Sequence, residues 1–147
     1  MDQIDPTQAA RVWQRVRGEA PAGDQTLPRL LALEAEAGAT YAYLGKFMGE
    51  NRLLQALREQ NRSFLRCLTG IWVITTEQAP APLTPPSIRG NAEGLLRQSF
   101  KTRQQLLSLV EGIQTTAELK PVFAFLRTKY IDHCRLILEL LGQTSRR

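Results

Sequence analysis

The sequence predicts an all-α protein built as a four-helix bundle. Apolar residues recur at the 3.6-residue spacing of helices over most of its 147 residues, and alternating strand patterns are nearly absent. The four long periodic segments are separated by glycine, asparagine or proline signals where helices stop and start. Hydrophobic residues make up 43% and charged residues 22%, enough apolar material for one core without a disulfide or a metal staple.

The first periodic segment is short. It starts after Asp5 with Pro6 in the first turn and runs to about Arg17 before Gly18. Its stripe of Ala9, Val12, Trp13 and Val16 is wide enough to dock on a larger body. Residues 19–26, with Pro21 and Gly23, read as a loop, so 1–26 form a docking helix and linker. The first long helix is expected over about Leu27–Met48, ended by Gly49, with stripe Leu27, Leu30, Glu34, Ala37, Tyr41, Leu44 and Met48. The second spans about Asn51–Thr75, with stripe Leu54, Leu57, Asn61, Phe64, Leu68 and Ile71. The third spans about Asn91–Ile113, with Leu96, Ser99/Phe100, Arg103, Leu106/Leu107 and Val110 inward. The fourth has Pro121 as its first residue or a preliminary turn from Thr116, and it ends at Leu141 before Gly142. Its stripe is Val122, Leu126, Tyr130, His133, Ile137 and Leu140, leaving 143–147 as a disordered polar tail.

Linker lengths constrain the topology. The first and second long helices, and the third and fourth, are joined by a few residues and form antiparallel hairpins. Between the hairpins, residues 77–90 contain Pro80, Pro82, Pro85 and Pro86 and cannot be helical. A helix of the second segment's length spans roughly 37 Å, and the extended linker reaches roughly 46–50 Å. The linker can therefore run the length of the bundle, giving two hairpins joined by one long crossover over 27–142.

The composition limits chemistry. His133 is the only histidine, and Cys67 and Cys134 are the only cysteines, which excludes zinc-finger and disulfide scaffolds. The polar N-terminus has no signal-peptide core, and no apolar run nears the ~18 residues of a membrane span, so a cytoplasmic protein with reduced thiols is expected. The net charge is +5, carried by fifteen arginines and four lysines. Arg58, Arg62 and Arg66 form a ladder on the second long helix. It reads either as a phosphate-tracking face or, the preferred reading in the absence of interleaved aromatics, as a solvated helix face.

Each long helix carries a polar residue near its midpoint on the apolar stripe: Glu34, Asn61, Arg103, and Tyr130 with His133. A carboxylate or guanidinium at such a level costs several kcal/mol unless paired. The pattern Glu34-x-x-Ala37-x-x-x-Tyr41, with the segment from Tyr130-Ile-Asp-His133 to Gly142, resembles rubrerythrin-like members of the ferritin-like superfamily. In that family a Glu on each of the first and third helices and a Glu-x-x-His on each of the second and fourth hold two irons. Position by position, Glu34 and His133 match ligands, whereas Asn61, Phe64, Arg103 and Tyr130 stand where the other four would be. A second register, Glu59-x-x-Arg62, has polar neighbours and faces outward.

The resemblance thus implies a ferritin-like bundle whose di-iron site is degenerate. Arg103 would replace the metal as counter-charge to Glu34, with Asn61, Tyr130 and His133 in the same polar network and no cofactor. The remaining role would be assembly as a homo-oligomer or binding of a protein partner, through the first helix and the faces bearing Trp13 and Trp72. The alternatives are a rubrerythrin-like oxidoreductase holding one iron on Glu34, His133 and water or Tyr130, and a nucleic-acid-binding bundle using the arginine ladder. The two cysteines read as small buried thiols.

Overall fold

The computed structural model describes residues 25–145. Within them lie four α-helices and no strand: α1 (Thr26–Met48), α2 (Arg52–Thr76), α3 (Ala92–Gly112) and α4 (Lys120–Ser145). The expected short helix over 6–17, with Trp13, lies outside the described residues. Helix boundaries have local causes. Asn51 and Asn91 cap α2 and α3: Asn51 accepts from the amides of Leu53 and Leu54, and Asn91 from that of Gly94. Gly49, at φ 58°, turns the chain out of α1 in a conformation that favours glycine.

The fourth helix differs from expectation at its end. Gly142 does not stop it, and α4 continues to Ser145, taking in three residues assigned to a polar tail. A glycine inside a helix costs only about 1 kcal/mol. Contacts back to the bundle favour the added turn: the Asn51 amide donates to Gln143, and Ser145 donates to Glu93.

The stripes fold inward as the periodicity requires. Two apolar clusters form, one towards each end of the bundle. One joins Leu27, Leu30 and Leu31 of α1 to Phe64, Leu68 and Ile71 of α2, Leu106 and Val110 of α3, and Phe123 and Leu126 of α4. The other joins Ala37, Tyr41 and Leu44 to Leu54 and Leu57, Leu96, and Ile137 and Leu140. The start of α1 thus lies beside the ends of α2 and α3 and the start of α4. Helices α1 and α4 point one way, and α2 and α3 the other. Packing runs α1·α2, α3·α4, α1·α3 and α2·α4, so the consecutive helices α2 and α3 lie on a diagonal and share a direction. Residues 77–91 must therefore carry the chain back along the bundle. No helix among the described residues is long and apolar enough to cross a membrane.

Candidate functional site: a buried polar layer

Between the two apolar clusters the four helices place a layer of buried polar side chains. Glu34, Arg103 and His133 have no solvent exposure, and Asn61 is nearly as buried. Their stripe positions demand this: on one face of each helix, residues three and four apart point into the same core.

The first half of the layer is an ion pair. Arg103 donates from both terminal nitrogens to Glu34, Nη1 to Oε2 at 2.6 Å and Nη2 to Oε1 at 2.8 Å. Asn61 donates from Nδ2 to Glu34 Oε1 at 2.8 Å and to the Glu34 carbonyl at 2.9 Å. Both carboxylate oxygens are thereby occupied, and α1, α2 and α3 are tied at one height. The guanidinium lies against a pair of adjacent rings, 5.1 Å from the Phe64 centroid and 5.0 Å from that of Tyr130. Their π faces add attraction for the desolvated cation. Burial opposes the charge on Arg103, but the Glu34 carboxylate outweighs it and holds the group more firmly protonated than an ordinary arginine.

Space for Asn61 comes from Gly38, one turn after Glu34. A Cβ there would stand 2.7 Å from Asn61 Oδ1, closer than real contacts allow. Gly38 thus keeps α1 open at the point where the amide enters.

The second half is a hydrogen-bonded chain drawing one residue from each helix. His133 Nδ1 lies 2.8 Å from Gln60 Oε1, and Nε2 lies 2.7 Å from the Tyr41 hydroxyl, which lies 2.9 Å from Ser99 Oγ. Burial, and then the nearby Arg103 charge, push the His133 pKa well below the ordinary histidine value, so the ring is neutral. Gln60 Oε1 is an acceptor, so Nδ1 carries the ring proton and donates to it. Nε2 then accepts from Tyr41, which accepts from Ser99. Desolvation raises the Tyr41 pKa, consistent with a phenol that keeps its proton.

The matched positions therefore divide. Glu34, Asn61 and Arg103 bond directly. Phe64 is a packing ring, 4.8 Å from the Tyr130 ring and 5.5 Å from that of His133, both edge-on. Tyr130 enters the layer as a ring over Arg103 and not as a hydrogen-bonding member, because its buried hydroxyl has no partner. Burial, and then the Glu34 charge, raise its pKa. His133 joins a separate chain and does not bond Glu34. Tyr41 and Ser99 were on the expected stripes with no role assigned. Gln60, half-buried beside Asn61 and off the stripe, carried no sequence signal.

This donor set does not fit a di-iron pair. A single carboxylate and a single imidazole face the layer, each has both of its donor atoms engaged, and a permanent cation holds the carboxylate. No three His, Cys, Asp or Glu side chains converge to hold a metal ion among the described residues.

Other expected features lie at the surface. Arg62, Arg66 and Glu59 are exposed and Arg58 is half-buried, and Arg66 donates to Ser63. Cys67 and Cys134 are free thiols that are only half-buried. Trp72 is partly buried and packs against the core, with its indole nitrogen buried. No family model, curated protein or solved structure matches the chain.

Proposed function

We propose that the chain is a ferritin-like bundle of the rubrerythrin kind in which an arginine–glutamate network stands where that family holds iron. Its role is then non-catalytic, in assembly or partner binding. The observation that carries this reading is the bidentate Arg103–Glu34 pair at mid-height, with the guanidinium against the adjacent rings of Phe64 and Tyr130. A carboxylate cluster needs metal to neutralise it, whereas one carboxylate facing one guanidinium is already neutral. Two hairpins joined by a linker that returns along the bundle are the arrangement such folds use.

The network's contribution is registry. Glu34, Asn61 and Arg103 bond in only one relative height of α1, α2 and α3: sliding α1 or α3 by a turn leaves buried charges unpaired, and sliding α2 removes the Asn61 amide from Glu34. Such specificity is the best-attested use of buried ionic groups.

The test is anaerobic addition of Fe(II) to the purified protein, then desalting and metal analysis. The reading expects no stoichiometric iron and an unchanged thermal melt. Iron retained at one or two per chain, and lost in Glu34→Gln or His133→Gln, would establish the metal-binding oxidoreductase instead. Salt-dependent binding of duplex DNA, weakened by neutralising Arg58, Arg62 and Arg66, would support the nucleic-acid reading.

A further inference from the structure

The strap between the hairpins, residues 77–91, leaves the end of α2 and enters α3 at the opposite end of the bundle, roughly 37 Å away by the length of α2. As polyproline II it reaches about 46 Å, so only a nearly extended chain spans the gap. Local chemistry selects that extended form. Each proline holds φ near −65°, and each residue before a proline is driven out of the α region. From Ala79 to Pro86 one or both constraints act on every residue except Leu83. Over the same stretch the backbone makes no hydrogen bond to the described residues, as polyproline II requires. That helix repeats every three residues. Pro82 and Pro85 therefore share one edge, Leu83 and Pro86 share the next, and Ala81, Thr84 and Ser87 fall on the third. The two adjacent apolar edges form a ridge about 12 Å long. It does not pack on the helices: residues 81–87 are all exposed, Leu83 at 42%, whereas Pro80 and Ile88 on either side are half-buried. Spanning the bundle requires extension; it does not require an apolar ridge held in water.

We propose that residues 81–87 are a docking ridge for a partner protein domain that reads polyproline II through a groove lined with aromatic side chains. Such grooves bind extended proline segments because the ligand is already ordered. Here α2 and α3 anchor the strap at both ends, which restricts the ridge further before it docks and lowers the entropy lost on binding. Arg89, exposed just beyond the ridge, has no ion pair among the described residues and complements a groove with a carboxylate at that end. The ridge gives the partner-binding role a surface. It shares no residue with the polar layer, so iron binding there would overturn the reading of that layer and leave this proposal intact.

The probes are purified SH3, WW and EVH1 domains, titrated one at a time into the full chain labelled with nitrogen-15. At least one domain should bind saturably, moving the amide signals of Leu83, Thr84 and Ser87 and leaving those of the four helices in place. In Pro82→Ala/Pro85→Ala that domain should bind about tenfold more weakly or worse, and Leu83→Asp should weaken it similarly. The double substitution changes no charge, so the chain's net +5 cannot account for the loss. Circular dichroism checks that the bundle persists in each variant, and the wild-type shift map decides the matter if one does not fold. No binding by any of the domains, shifts confined to the helices, or equal affinity in the folded double variant would overturn the proposal.

Discussion

Replacing Arg103 with leucine strips Glu34 of two charge-assisted hydrogen bonds, at 2.6 and 2.8 Å, and leaves it only the Asn61 amide. Both partners are fully buried, so water cannot substitute without opening the core. Breaking such a pair from one side costs about 3–5 kcal/mol, which in a domain of this size lowers the melting temperature by roughly 10–20 °C. Glu34→Leu should cost a similar amount by stranding the guanidinium. The double variant Glu34→Leu/Arg103→Leu removes both charges, and Asn61 keeps the backbone carbonyl of position 34. It should therefore cost no more than about 2 kcal/mol, giving a coupling energy of about 4–10 kcal/mol. Urea denaturation of the four proteins measures the cycle. Single substitutions that cost under about 1 kcal/mol, or a double that simply adds the singles, would refute the reasoning.

Further outcomes follow from the same geometry. Gly38→Ala should destabilise by about 1–2 kcal/mol, because the new methyl meets Asn61 Oδ1, although Gly→Ala in a helix ordinarily stabilises. Gly142→Ala, with open space around it in α4, should stabilise by about 0.5–1 kcal/mol, and thermal melts of the two variants should shift in opposite directions. Tyr41→Phe should cost about 1–3 kcal/mol by leaving His133 Nε2 and Ser99 without their shared partner, as measured by urea denaturation. His133 is held neutral when folded, so below about pH 6.5 the unfolded chain binds the extra proton and stability falls by up to ~1.4 kcal/mol per pH unit. Tyr41 and Tyr130 are held protonated, so above about pH 10 the unfolded chain loses protons first and stability falls again. Melts across pH in His133→Gln should lose the histidine's part of the acid slope.

The helices and their inward faces were legible because an apolar stripe with a charge on it states both the periodicity and the anomaly. Glu34, Asn61 and Arg103 stood out as residues a leucine core would not choose. Tyr41 and Ser99 did not, because either can sit on a stripe for packing alone, and their bond joins positions far apart in the chain. Gln60 lies one residue off its stripe and turns inward only because His133 waits across the α2·α4 seam. Tyr130 was expected to bond and instead stacks, since an aromatic ring beside a buried guanidinium offers its face as readily as its hydroxyl. Gly142 has the composition of a helix stop, but tertiary contacts from Gln143 and Ser145 override it.

The central claim is that a guanidinium holds the place of a metal on Glu34. An electron-density map from crystals soaked with Fe(II), with an anomalous scan at the iron edge, tests it directly. The account predicts Arg103 density in bidentate contact with Glu34 and no anomalous peak in the layer. A peak between Glu34 and His133, with Arg103 swung aside, would contradict it.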